Sequence, residues 1–281
     1  MSPDTAGRRR LRARFALMGR AGRGMVVRSL AAVAATLAIS SATVQAQSAM
    51  PANFVYLRDI DPTIAQDMRY AGADNFVGRP ITGYDAPECI LRRDVADALR
   101  RVQAELAASG LGLKVYDCYR PQRAVRAMAQ WSQDGRPVGS SKRYFPNLHK
   151  ANLFAFGYLA SVSRHSSGTA VDLTLVQAAR TSAAPFDPAA SYGPCTAPAT
   201  QRSPDDSIDM GTGYDCLDVN SHTRSPAVAP EQRRWRTTLV AAMAKHGFAN
   251  YHKEWWHFSY GPANAPHYDF PIRPRRSAGA P

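Results

Sequence analysis

The sequence predicts a single domain of the α+β class. Helical and strand periodicities both occur, yet they do not follow the regular strand–helix–strand alternation of a parallel sheet. The chain of 281 residues is 45% hydrophobic, enough for a real core in one domain.

The elements follow in order. Residues 47–88 are punctuated by Asp61-Pro62, Gly72, Gly78-Arg79-Pro80 and Gly83, a turn-rich composition. Over 91–108, Val95, Ala98, Leu99, Val102 and Leu106 recur at helical spacing, and Ser109-Gly110 ends the run. Leu113–Tyr116 reads as a short strand. Asp117-Cys118-Tyr119-Arg120-Pro121 leaves it, and Pro121 starts a second helix over 122–131. Residues 151–163 read as helix. Residues 171–176 form a strand in which Val171, Leu173 and Leu175 alternate with Asp172 and Thr174. The Ala-, Pro-, Ser- and Asp-rich stretch 177–209 reads as an inserted surface loop. In 231–246, Trp235, Leu239 and Met243 lie four apart, and Gly247 suits the C-cap. A strand over 255–260 follows, and the tail 273–281 reads as disordered.

The N-terminus has the order of an export signal. Arg-rich residues 8–28 precede a short apolar run from Ser29 to Ile39. Val44-Gln45-Ala46 then fits a cleavage site, with the cut after Ala46. Met25 is an alternative start. The apolar run is too short for a permanent span, and no Cys near the cut offers a lipid anchor. A periplasmic protein with no stable membrane anchor is expected. Residues 1–46 hold eight Arg and one Asp, which leaves +6 of the net +13 for the rest. A basic nucleic-acid arm is the competing reading, but no aromatic-basic RNA-binding signature follows it, and no nucleic-acid partner is expected.

Four cysteines, Cys89, Cys118, Cys195 and Cys216, permit three connectivities in an exported chain. Cys195–Cys216 is favoured because it closes the inserted loop. Cys89–Cys118 is the remaining pair, with two buried free thiols as its alternative.

Two segments carry the chemistry: Ser163-Arg164-His165-Ser166-Ser167-Gly168-Thr169-Ala170-Val171-Asp172 and Glu254-Trp255-Trp256-His257. His165, Asp172 and His257 offer three ligands for one catalytic zinc with an open position. Glu254 remains free to act as general base, and then acid, on the metal-activated water. Positions three apart on a regular strand face opposite sides, so Glu254 and His257 require an irregular backbone there. Arg120 is the candidate to stabilise the oxyanion. The histidines at 149, 222, 246, 252 and 267 read as structural or surface residues, with His222 a candidate to support the ligands.

At these residues the chain resembles the zinc D-alanyl-D-alanine dipeptidases of the vancomycin-resistance type and their exported relatives, over about residues 55–272. Asp67-Met68-Arg69-Tyr70 with Asp74-Asn75-Phe76, the Arg120 motif, Met210-Gly211-Thr212-Gly213-Tyr214-Asp215 with Asp218, and Tyr268-Asp269-Phe270-Pro271 carry the rest of the match. The resemblance implies one Zn²⁺ on His165, Asp172 and His257, with Glu254 as acid/base and Arg120 as transition-state stabiliser. It implies Asp215 at the substrate ammonium, and Tyr84 and Ser163 at its carboxylate. The implied fold is a mostly antiparallel sheet flanked by helices, shared with zinc D,D-peptidases and the hedgehog signalling domain. The implied substrate is the D-Ala-D-Ala dipeptide, in peptidoglycan turnover or D-alanine scavenging. A D,D-carboxypeptidase trimming longer muropeptides, or a non-catalytic wall-peptide binding module, are the alternatives. The signal, the long loop and the cysteines at 118 and 216 depart from the cytoplasmic resistance enzymes. The oligomeric state is not legible.

Overall fold

Strand β5 (Ala170–Gln177) is the spine of the molecule and is buried along its first seven residues. The computed structural model describes residues 49–179 and 182–275; the leader 1–46 and its cleavage site lie outside them. The described residues belong to one unit. On β5, Asp172 and Thr174 are as buried as Val171 and Leu173, so the alternation separates a chemical face from an apolar one, not solvent from core. Strand β4 (Leu111–Asp117) lies antiparallel on one side of β5 and β7 (His257–Tyr260) on the other. Strand β6 (Phe248–Asn250) pairs antiparallel with β7, and β2 (Ala65–Gln66) pairs parallel with β4. The sheet order is β2-β4-β5-β7-β6, mostly antiparallel. A separate antiparallel pair joins β1 (Phe54–Tyr56) to β3 (Ile90–Arg92).

Among the described residues, four α-helices accompany the strands. After the single turn α1 (Leu57–Ile60), helix α2 (Arg93–Ala107) buries Val95, Leu99, Val102 and Leu106, the periodic face of the sequence. Helix α4 (Pro230–Lys245) buries Leu239 and Met243 in the same core, against Leu113, Val115, Leu173 and Leu175 of the sheet. Truncating a fully buried residue such as Leu99 to Ala is expected to cost about 2–5 kcal/mol. Pro230 starts α4, and the Gln232 side chain accepts from the Ala229 N–H at 2.8 Å, which satisfies one orphan donor. Helix α3 (Gln122–Gln133) covers a second, aromatic core of Phe54, Tyr70, Phe76, Tyr119, Trp131, Phe145 and Phe270.

Several expectations need correction. Residues 91 and 92 belong to β3, and the helix begins at Arg93. No α-helix forms over 151–163: residues 151 and 152 close the short 3-10 helix Lys150–Asn152, and 153–163 are turns and bends leading to the 3-10 helix Arg164–Ser167. The turn-rich 47–88 stretch holds β1, α1 and β2 and gives Phe54, Leu57, Ile64, Tyr70 and Phe76 to the cores. The inserted loop is only partly a surface feature. Its second half is bound to the body through Asp205, which receives the Lys114 ammonium, Arg69 at 3.0 Å and the Tyr116 hydroxyl at 2.7 Å. The start of the tail is also held: the Tyr56 hydroxyl donates to the Arg273 carbonyl, and Arg275 pairs with Asp59. Both favoured disulfides, Cys89–Cys118 and Cys195–Cys216, are formed. Among the described residues no helix is long and apolar enough to cross a membrane.

Candidate active site

Three neighbouring strands bring the chemistry into one row. Asp172 on β5 is directly opposite His257 on β7 and directly opposite Asp117 on β4. Cross-strand partners share a face, so all three side chains leave the sheet on the same side. The pairing slips between Val115 and Asp117. Without that bulge Tyr116 would oppose Asp172, so one extra residue aims Asp117 into the site.

His165 enters from the 3-10 helix Arg164–Ser167. The Ser163 hydroxyl caps that helix by accepting from the His165 N–H at 3.3 Å. Gly168 ends it at φ +68°, and a Cβ there would sit 2.3 Å from the Phe54 ring. Only glycine serves this corner.

His165 Nε2 lies 3.0 Å from His257 Nδ1 and 3.3 Å from Asp172 Oδ1, and His257 Nδ1 lies 3.0 Å from the same oxygen. Tetrahedral ligands at about 2.0–2.1 Å from a zinc stand roughly 3.3–3.4 Å apart, so the triangle is close to the size such an ion needs. The donor chemistry fits as well. His165 Nδ1–H donates to the Cys118 carbonyl at 2.7 Å, which leaves Nε2 as a lone pair. Burial pushes the His257 imidazole towards its neutral, ligating form, against the pull of Asp172. Lone pairs and a carboxylate oxygen converging at these distances call for a cation. The Tyr214 hydroxyl donates to Asp172 Oδ2 at 3.1 Å, which orients the carboxylate.

Arg120 lies just past β4. Its Nε and Nη2 donate to Asp117 Oδ2 at 2.9 and 2.8 Å, its Nη2 is 3.6 Å from Asp172 Oδ2, and its guanidinium sits over the Tyr70 ring. This half-buried cation is therefore fixed before any ligand arrives. Glu254 sits outside the strand: β7 starts at His257, not 255, and the His257 N–H donates back to the Glu254 carbonyl at 3.3 Å. That turn is the irregularity the spacing demanded. It places Glu254 Oε2 3.9 Å from His257 Nδ1, beside the cluster. Burial, then the charges of Asp172 and Asp215, raise the Glu254 carboxyl well above the usual carboxylate range.

Asp215 faces the same cleft from a left-handed backbone, φ +58°, the one such non-glycine among the described residues. Such a conformation costs on the order of 1–3 kcal/mol and points to a functional constraint. Its Oδ1 accepts from the Tyr70 hydroxyl at 3.1 Å, while the buried Oδ2 has no hydrogen-bond partner. Burial, with the charge of Asp172 second, pushes this carboxyl up to about 8.

The cleft that joins these groups has a volume of about 230 Å³; Tyr70, Arg120, Ser163, Asp215, Glu254 and His257 are among its lining. That is below the roughly 300–1,000 Å³ of drug-sized sites, so it suits a small ligand. Tyr84 is not brought there. Its hydroxyl is buried and donates to Asp117 Oδ1 at 2.6 Å, so it braces the carboxylate that holds Arg120. His222 bonds Tyr158, not a ligand. Sequence reasoning gave no role to Asp117, Tyr70 or Tyr214. The offset of three between Asp117 and Arg120 was the available signal for the first; the two tyrosines stood inside motifs that carry the resemblance, which gave neither a role of its own.

Two histidines and an aspartate converge at ligand distances beside a free carboxylate, the arrangement a metallopeptidase needs. Comparison with known families agrees: the chain belongs to peptidase family M15, whose profile, described as D-ala-D-ala dipeptidase, matches residues 50–187 and 181–273. It is 34% identical over 225 residues to a D-alanyl-D-alanine dipeptidase from Streptomyces coelicolor, covering 79% of this chain and 100% of the relative. It is 29% identical over 226 residues to one from Enterococcus faecium, covering 80% and 100%. A third, from Escherichia coli, is 31% identical over 207 residues, covering 73% and 82%.

Proposed function

We propose that this protein hydrolyses the D-Ala-D-Ala dipeptide with one zinc ion held by His165, Asp172 and His257. Zinc bound there supplies a Lewis acid and lowers the pKa of the attacking water towards about 7. The protein's own residues do the rest. Asp215 receives the substrate ammonium, and Ser163 contacts its carboxylate. Arg120, held by Asp117, faces the carbonyl oxygen as negative charge develops on it. Glu254 takes the proton of the attacking water and delivers it to the leaving amine, and its raised pKa suits both halves of that transfer.

The observation that carries the substrate assignment is Asp215 Oδ2, a buried carboxylate oxygen without a partner in a cleft of dipeptide size. A free amino terminus answers it. An export signal ending at Ala46 and two disulfides support a periplasmic enzyme that meets dipeptide released from peptidoglycan, in wall turnover or D-alanine scavenging. The test is a hydrolysis panel with and without chelator. D-Ala-D-Ala is expected to be cleaved and a stem pentapeptide left intact. Rapid pentapeptide trimming without dipeptide hydrolysis would reject this assignment in favour of a carboxypeptidase.

A further inference from the structure

His165 is held from behind by backbone that the Cys89–Cys118 disulfide anchors. The bond from His165 Nδ1–H to the Cys118 carbonyl keeps Nε2 as the lone pair facing Asp172 and His257. Asp117 Oδ2 also faces Nδ1, at the longer distance of 3.4 Å; if the carbonyl turns away, that contact alone holds the ring, and the Nε2 lone pair loses its aim at the cluster. Cys118 lies one residue past the end of β4, where its peptide plane is held not by the ladder but by the Tyr119 N–H bond to the carbonyl of Ile90, the residue next to Cys89. Its sulfur and that of Cys89 are both fully buried.

Three further backbone bonds close a triangle around the same point. The Tyr119 N–H donates to the Ile90 carbonyl at 2.9 Å, the Arg120 N–H to the His165 carbonyl at 3.2 Å, and the Arg92 N–H to the Gly168 carbonyl at 3.1 Å. The disulfide crosslinks the first two sides, 89–92 and 117–120; the third side carries His165 itself. The other disulfide, Cys195–Cys216, touches none of these segments.

We propose that Cys118, through its bond to Cys89, is a positioning residue of the metal centre, so that zinc capture depends on this disulfide. Formation of the bond takes two electrons and two protons from the paired thiols; an external disulfide accepts them and leaves as two thiols. Because both sulfurs end fully buried, this exchange belongs to folding, and a chain folded under reducing conditions keeps a slack ligand. On the dipeptidase reading, on which this consequence rests, the device keeps the enzyme metal-poor until it leaves the compartment where the dipeptide is built into wall precursors.

The experiment titrates the purified metal-free chain with Zn²⁺ against a chromophoric chelator. Cys89→Ala/Cys118→Ala is expected to lose about 10–100-fold in zinc affinity, the usual cost of disturbing a group that orients a ligand. Cys195→Ala/Cys216→Ala is expected to keep the wild-type affinity. Nitrogen NMR of His165 in the metal-free proteins is expected to show one tautomer in the wild type and a mixture in the first variant. Should that variant fail to fold by circular dichroism, Cys89→Ala/Cys118→Val refills the volume and takes its place. A folded protein lacking this bond with wild-type zinc affinity and an unmixed tautomer overturns the proposal. So does an equal loss in the Cys195→Ala/Cys216→Ala control, which would signify general loosening. If the oxidised protein binds zinc tightly but leaves D-Ala-D-Ala intact, the dipeptidase reading fails and the metal-positioning role stands.

Discussion

Replacing Asp215 by Asn removes a charge while keeping the shape. Asn tolerates the left-handed backbone at φ +58°, and its amide oxygen still accepts from Tyr70. The charge itself is a burden on the empty fold. The native carboxyl titrates near 8, raised by burial and then by Asp172, whereas in the unfolded chain it titrates near its ordinary 3.8. Between those values the native state binds the extra proton, so this group's contribution to stability is intact below pH 3.8. It falls as pH rises and is fully lost above about 8. At about 1.4 kcal/mol per pH unit, ionisation costs on the order of 5 kcal/mol in all. Urea unfolding of metal-free wild type and Asp215→Asn from pH 5 to 9 should therefore show a variant that gains on the wild type with pH, by several kcal/mol at pH 9. On the proposed function, the same substitution removes the partner of the substrate ammonium. A hydrogen bond to a charged group is worth about 1.5–3 kcal/mol, so kcat/KM for D-Ala-D-Ala should fall roughly 10–150-fold. A variant less stable than wild type at pH 9 refutes the electrostatic reasoning. Unchanged kcat/KM refutes the role at the ammonium.

Other substitutions test the remaining parts of the site. Glu254→Ala is expected to retain zinc by metal analysis while kcat falls about 10²–10⁴-fold; loss of the metal together with activity would make Glu254 a ligand. Arg120→Lys breaks the paired contacts to Asp117 Oδ2 and should lower kcat on the order of 10²–10³-fold with KM little changed, and steady-state rates near wild type would remove Arg120 from the oxyanion. Gly168→Ala forces a Cβ into the Phe54 ring at φ +68°. A drop of about 1–3 kcal/mol in unfolding free energy and weaker zinc binding should follow, and an unchanged melting temperature would mean the corner is not rigid.

The sheet core and the metal cluster were legible because they rest on short-range regularities. Leu99 and Val102 announce a helix face, Val171 and Leu173 a strand, and His165, Asp172 and His257 have few roles in common other than a metal. Proximity across the sheet was not legible. Asp117 joins the site only because a bulge shifts its register against Asp172, and no local pattern encodes a bulge. The family resemblance implies Tyr84 at the substrate carboxylate, yet its hydroxyl ends on Asp117, one layer behind Arg120. The 151–163 stretch has mixed composition that favours helix as readily as turn. Its backbone is decided by tertiary bonds such as Tyr251 and Lys253 side chains donating to the carbonyls of Gly157 and Phe156. The paired expectation for Glu254 and His257 shows the opposite case: the strand period alone required a break there, and the break is the turn before β7.

The long insertion has unequal ends. It departs after Gln177, five residues from Asp172 along β5, a distance of about 17 Å at strand rise. It ends at Asp209, six residues before Asp215, which lines the cleft and directly precedes Cys216. Length can therefore be added beside the departing end, at the exposed Ser182–Ala184, without reaching the reacting groups. Beyond Asp205, which the body holds through Lys114, Arg69 and Tyr116, added length comes within ten residues of Asp215, the carboxylate proposed to meet the substrate. The segment thus offers a ready attachment site for a fluorophore or peptide tag at one end, and at the other a place where a lineage could change what it digests by altering loop length alone.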